Sequence, residues 1–161
     1  MYTKILVPLD GSALAERALV QAEEIAKATG AELILAQVVQ APLGQTPEAG
    51  TAEEIEAFRE SAAQARAYLG MVATRVSGAG VKVRFELLEG APAAGILSLA
   101  HNEDVDMIVM STHGRSGISK LVMGSVAEKV MLTTRRPVLL VKPERVQVEH
   151  IDEADVFLSA H

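Results

Sequence analysis

Cysteine is absent from this chain of 161 residues, and so are long apolar runs. Without cysteine there are no disulfide bonds, no thiolate nucleophile and no cysteine-ligated metal. The apolar residues come in short runs, whereas a membrane-spanning helix needs about 18 or more consecutive apolar positions. We therefore expect a soluble protein of one folded domain, whose hydrophobic core holds without covalent cross-links.

A positively charged leader segment is also missing at the start of the chain, and this absence favours the cytoplasm. The formal net charge is −6, and no cluster of Lys and Arg is dense enough to follow a nucleic-acid backbone. Five acidic residues and one arginine fall in residues 144–161. We interpret this segment as an acidic C-terminal tail after a domain of residues 1–143, and we expect neither nucleic acid nor a membrane as a partner.

Three motifs of nucleotide and ester chemistry are not found. The chain has no P-loop, no Gly-x-Gly-x-x-Gly dinucleotide fingerprint after its first strand and no Gly-x-Ser-x-Gly elbow. The four histidines lack metal-ligand spacing, and we see no nucleophile that pairs with His113. We therefore assign no catalytic residue and no metal ligand among the protein side chains.

Short apolar strands alternate with amphipathic helices along the chain. Strands are predicted at 4–8, 31–39, 81–87, 107–110 and 137–141. Ser12 is expected to cap a helix at 13–29 that Gly30 ends, and Thr51 and Ser125 each begin a capping box. The alternating segment 81–87 suits a sheet edge, whereas 107–110 and 137–141 read as buried strands.

This alternation predicts an α/β fold. We expect a single doubly wound, Rossmann-like sheet of five parallel strands in the order 3-2-1-4-5, with helices on both faces. Ligands of such sheets bind beyond the carboxyl ends of the strands, where the strand order reverses. The loops after strands one and four are therefore the first places to look for a site.

Glycine and hydroxyl residues follow the fourth predicted strand, in segments 111–117 and 124–125. Glycine lets backbone N–H groups approach an anion, and a helix N-terminus adds the positive end of a dipole, so the pattern suits phosphate. Spacing alone is equally compatible with glycines that serve turns and with Ser125 as a simple helix cap. Similarly, Asp10 either binds a ligand, or it holds the loop after the first strand or caps the first helix.

With these residues the chain resembles the universal stress protein family. Nucleotide-binding members of that family carry a pattern of Gly, two residues, Gly, nine residues, and Gly followed by Ser or Thr. Gly114, nine intervening residues and Gly124-Ser125 match its latter part, whereas Ser111 stands where the pattern has its first glycine. The resemblance extends over about residues 2–143, through segments 5–12, 106–110 and 137–142.

The resemblance implies an ATP-binding stress-response or regulatory protein with at most slow hydrolysis. Mg²⁺ or Mn²⁺ would be held through the phosphates rather than by protein side chains. The resemblance implies that the adenine and ribose are contacted by Pro8, Leu9, Asp10 and the backbone of Val38. It also implies that the following residues lie around the ribose and the phosphates: Met110, Ser111, His113, Gly114, Arg115, Ser116, Gly124, Ser125 and Val126.

The resemblance also implies a homodimer formed through the last strand, Val138–Val141. Two other functions stay open at this point. One is a dimeric interaction protein that binds no nucleotide. The other is an enzyme on the same fold that hydrolyses ATP or transfers a nucleotidyl group.

Overall fold

The computed structural model describes residues 1–41, 50–113 and 123–142. Its elements in chain order are β1 (Lys4–Pro8), α1 (Ala13–Thr29), β2 (Glu32–Val39), α2 (Ala52–Gly78), β3 (Val83–Glu89), α3 (Pro92–Asn102), β4 (Met107–Ser111), α4 (Ser125–Thr133) and β5 (Val138–Val141). All neighbouring strands are parallel, and they lie in the order β3-β2-β1-β4-β5. The predicted fold class and strand order are confirmed.

Two hydrophobic cores lie on opposite faces of this sheet. On one face, Leu33 and Leu35 of β2 belong to a buried cluster with residues of α1 and α2, among them Leu19. On the other face, Ile34 of β2 belongs to a cluster with residues of α3 and α4, among them Val130. Because successive side chains of a strand point to opposite faces, the central strands are apolar at almost every position.

Local side-chain chemistry sets the ends of α1 and α2 as predicted. The hydroxyl of Ser12 accepts a hydrogen bond from the N–H of Ala15 at 3.1 Å, and Gly30 ends α1 in the left-handed conformation with φ of 76°. At the start of α2, Thr51 and Glu54 each accept a hydrogen bond from the other's backbone N–H. The capping box at Thr51 is therefore confirmed.

The predicted cap at Ser125 is wrong. Gly124 is the N-cap of α4, Ser125 is the first helical residue, and no described side chain makes a cap hydrogen bond at this end. The physical reason is that both backbone polar groups of Gly124 make hydrogen bonds, one to the end of β4 and one within α4. Its N–H donates to the carbonyl of Thr112 at 2.7 Å, and its carbonyl accepts from the N–H of Glu128 at 2.9 Å.

The last strand also differs from expectation. All four residues of β5 are half-buried rather than buried, because β5 is the edge strand and pairs with β4 alone in the part of the sheet described. At the opposite edge, β3 is half-exposed as its alternating sequence predicts.

Two predictions concern regions outside the sheet. The acidic tail at 144–161 lies outside the described residues. Among the residues that are described, no helix is both long and apolar enough to cross a membrane.

Candidate functional site

A cleft of about 790 Å³ opens at the carboxyl ends of β1, β2 and β4. It is lined by the residues that follow β1 and β4, by the end of β2 and by the first residues of α4. This is the edge of the sheet where strand order reverses, between β1 and β4. Its volume lies in the range of pockets that hold small molecules and cofactors.

Hydrogen bonds within the chain shape the loop after β1. Oδ1 of Asp10 accepts from the backbone N–H of Ser12 at 2.9 Å and also from its hydroxyl. Gly11 between them has φ of 82°, a conformation that suits glycine. The N–H of Leu9 donates to the carbonyl of Ala36 at 2.7 Å, which ties the loop to β2. Asp10 therefore holds the loop, one of its predicted roles, while it also lines the cleft; the N-cap of α1 is Ser12 rather than Asp10.

The end of β4 is tied to two other elements. The N–H of Thr112 donates to the carbonyl of Val141 in β5 at 3.0 Å, and the carbonyl of Thr112 accepts from Gly124. Within the segment, the hydroxyl of Thr112 lies 2.8 Å from Nδ1 of His113, and the N–H of His113 donates to the hydroxyl of Ser111. Ser111 and Thr112 are also buried, so hydrogen bonds and packing both hold this wall of the cleft.

The first turn of α4 faces this wall. The backbone N–H groups of the first helical residues have no acceptor inside a helix, and Ser125, Val126 and Ala127 all line the cleft. A Cβ on Gly124 would lie only 3.1 Å from the carbonyl oxygen of Thr112. Glycine therefore allows the close approach of α4 to the end of β4.

The structure brings together the described residues that the sequence predicts for the site. All of the following line the cleft: Pro8, Leu9, Asp10, Val38, Met110, Ser111, His113, Gly124, Ser125 and Val126. The other three predicted residues, Gly114, Arg115 and Ser116, lie outside the described residues.

Helix α2 contributes a wall that the sequence reasoning missed. Ser61, Gln64, Ala65 and Tyr68 line the cleft from this helix. The hydroxyl of Tyr68 donates to Glu16 at 2.8 Å, and burial together with this bond raises the pKa of Tyr68 above its ordinary value. The helical period showed which face of α2 is buried, but not that this face extends past the sheet into the cleft.

Two polar atoms at the cleft are buried without a hydrogen-bond partner in the described part of the chain. They are Oε1 of Gln37 and Nε2 of His113. Buried polar atoms nearly always have a partner, so each marks a place where a bound molecule could supply one. Gln37 was also missed from the sequence, although its polar side chain interrupts an apolar strand.

Comparison with known proteins identifies the family. Residues 1–142 match the sequence profile of the universal stress protein family. The chain belongs to this family. A universal stress protein of Methanocaldococcus jannaschii is 38% identical over 144 aligned positions, which cover 88% of this chain and 83% of that protein.

Solved structures of the family share the fold and include nucleotide complexes. A universal stress protein in complex with cAMP superposes with a TM-score of 0.68 at 28% identity, covering 87% of this chain and 97% of that one. The universal stress protein of Archaeoglobus fulgidus in complex with dAMP gives a TM-score of 0.64 at 26% identity, covering 88% of this chain and 98% of that one. Adenine nucleotides are therefore ligands of some family members.

Proposed function

We propose that this universal stress protein binds ATP in the cleft and acts in the cytoplasm as a nucleotide-dependent stress-response or regulatory protein. The observation that carries the proposal is the start of α4. There Gly124 brings the first-turn N–H groups of α4 against the end of β4, and no described side chain caps them. Together with the cAMP and dAMP complexes of relatives, this supports a site for the phosphates of an adenine nucleotide.

The phosphates would lie along α4. Backbone N–H groups and the hydroxyl of Ser125 would donate to them, and the motif residues Gly114, Arg115 and Ser116 would complete the site. The described residues contain no cluster of three or more acidic or histidine side chains suited to a metal ion. Mg²⁺ or Mn²⁺ would therefore be held through the phosphates.

The adenosine would occupy the other half of the cleft, between the loop after β1, the backbone of Val38 and the end of β4. Ser111 stands at the first glycine of the family pattern, and its hydroxyl accepts a hydrogen bond from the N–H of His113 at 3.3 Å. The side chain is thus engaged with the backbone of its own loop.

Hydrolysis in this proposal is slow at most. Asp10, Tyr68 and His113 are the titratable side chains among the described residues that line the cleft. Asp10 is bonded to Ser12, Tyr68 to Glu16, and Nδ1 of His113 lies against the hydroxyl of Thr112. A rapid ATPase needs a group positioned to orient or deprotonate the attacking water. The engagements of Asp10 and Tyr68 favour binding over turnover, and Nε2 of His113 is the titratable atom of the cleft that has no partner among the described residues.

We further propose that residues 1–143 form the nucleotide-binding domain and that two copies associate through β5. The strand is apolar and half-buried, and an exposed apolar edge strand is a template for pairing with another chain. Size-exclusion chromatography with light scattering tests this proposal, and a monomer at all concentrations would contradict it.

The ATP proposal is tested by mass spectrometry of any ligand released from the purified protein, followed by calorimetric titration with ATP and Mg²⁺. We expect a released adenine nucleotide or a saturable binding isotherm. The absence of retained nucleotide together with the absence of binding at millimolar ATP would contradict the proposal.

A further inference from the structure

Gln37 is a buried polar residue in an otherwise apolar stretch of β2. The residue is 7% exposed, and its Oε1 atom has no hydrogen-bond partner among the described residues. A buried acceptor without a donor destabilises a protein, so an apolar residue would serve the core better. Packing therefore gives no reason for glutamine at this position.

The position of Gln37 along β2 places it in the cleft. Leu33 and Leu35, two and four residues earlier, point to the same face of the sheet and are completely buried in the core beneath α1 and α2. Gln37 comes next on that face, at the carboxyl end of the sheet, and it lines the cleft.

The surroundings of this position suit a planar ring. Small apolar side chains line the same cleft, among them Ala15 of α1 and Ala65 of α2. The hydroxyl of Tyr68 is engaged with Glu16 rather than with Gln37. Polar groups placed among apolar side chains are the usual arrangement for orienting an aromatic ligand.

We propose that the carboxamide of Gln37 selects adenine by accepting a hydrogen bond from its exocyclic amino group. The inference rests on the proposed nucleotide function and on the position of Gln37 at the adenosine end of the cleft, beside Val38. A carboxamide pairs with adenine by accepting from the amino group and donating to the adjacent ring nitrogen N7. Hypoxanthine offers only acceptors along that edge, so it loses one of the two bonds.

The experiment compares ATP with ITP, which carries hypoxanthine, by calorimetry on the full chain. We expect the wild-type protein to bind ATP about tenfold more tightly than ITP, the value of one hydrogen bond in a buried site. In Gln37→Met, which keeps the side-chain length but removes the polar atoms, the two affinities should become equal. Affinity for inorganic tripolyphosphate should not change.

Thermal unfolding without nucleotide supplies a second readout that separates ligand recognition from a structural role. Removing a buried acceptor that lacks a partner should raise the Tm of Gln37→Met by about 2–4 °C. A residue that stabilises the fold would instead lower the Tm when replaced. The matched control is Gln21→Met, because Gln21 is exposed on α1 and does not line the cleft.

The outcomes distinguish this inference from the function on which it rests. Equal wild-type affinities for ATP and ITP, or an unchanged preference for ATP in Gln37→Met, would overturn the role of Gln37 and leave nucleotide binding intact. Failure of the wild-type protein to bind either nucleotide would overturn both. A lower Tm for unliganded Gln37→Met would also count against the inference.

Discussion

Replacing Gly124 by alanine tests how closely the start of α4 must approach the end of β4. The added Cβ would lie 3.1 Å from the carbonyl oxygen of Thr112 and 3.8 Å from Cα of His113. Both neighbours are backbone atoms, so neither can rotate away. The two segments must therefore separate by about 0.3 Å to reach an ordinary carbon–oxygen contact.

The cost to folding should be modest. The hydrogen bond from Gly124 to Thr112 is 2.7 Å long, and it can lengthen to about 3.0 Å and stay within the common range. Alanine is also a poorer N-cap than glycine by a fraction of a kcal/mol. We expect the free energy of unfolding to fall by about 1 kcal/mol, with the fold retained.

The loss of ATP-binding free energy should be larger than the loss of folding stability. The methyl group and the shifted first turn of α4 disturb the N–H groups proposed to hold the phosphates, so we expect about tenfold weaker ATP binding. Calorimetry with ATP and Mg²⁺ measures the affinity, and urea denaturation measures the stability. Gly70→Ala is the matched control, because a Cβ at Gly70 meets nothing within 4 Å.

An ATP affinity of Gly124→Ala within twofold of wild type would refute this reasoning. It would show that binding of the phosphates does not depend on the position of the first turn of α4. A variant that fails to fold would equally refute the geometric argument, because that argument predicts only a small displacement.

Three further predictions concern stability. Gly70→Ala should raise the free energy of unfolding by about 0.5–1 kcal/mol in urea denaturation, since alanine is the better residue inside helix α2; a loss would contradict this. Tyr68→Phe removes the hydrogen bond to Glu16 and should cost about 1 kcal/mol by the same assay, while ATP affinity changes less than about threefold because the hydroxyl faces Glu16. The carboxylate of Asp106 accepts hydrogen bonds from the backbone N–H groups of Thr3 and Lys4 and from the hydroxyl of Thr3. These bonds lower the pKa of Asp106 to about 2. The stabilisation from this carboxylate is complete above the unfolded value of about 3.9 and is lost as the pH falls toward about 2. Asp106→Asn should therefore lower the free energy of unfolding by on the order of 1 kcal/mol near pH 7, a value that allows for solvent screening, and by clearly less near pH 3. A loss of stability that does not depend on pH would contradict this prediction.

The fold could be predicted because its signals are local. Ser12 and Gly30 delimit α1, and Thr51 begins α2, by hydrogen bonds and backbone conformations that involve only nearby residues. Apolar runs separated by amphipathic helices then leave few arrangements other than a parallel sheet. In such a sheet the segments after β1 and β4 meet at one edge, which is why residues as far apart as Pro8 and Gly124 could be assigned to one site.

The placement of α4 could not be predicted in the same way. The sequence pattern at Ser125 is that of a capping box, and only the contact between Gly124 and Thr112 moves the start of the helix by one residue. Likewise, the apolar residues of β5 look like those of a buried strand. Their exposure depends on which strands lie beside them, and β5 is at the edge.

The sequence by itself determined the order of the elements along the chain and the parallel arrangement of the strands, because periodicity, caps and handedness act over short stretches. It also indicated two of the segments that line the cleft, those after β1 and β4. Only the tertiary structure decided that α2 forms a wall of the cleft and that Gln37 has a buried acceptor without a donor. The physical reason is that burial and hydrogen bonding depend on neighbours that come from distant parts of the chain.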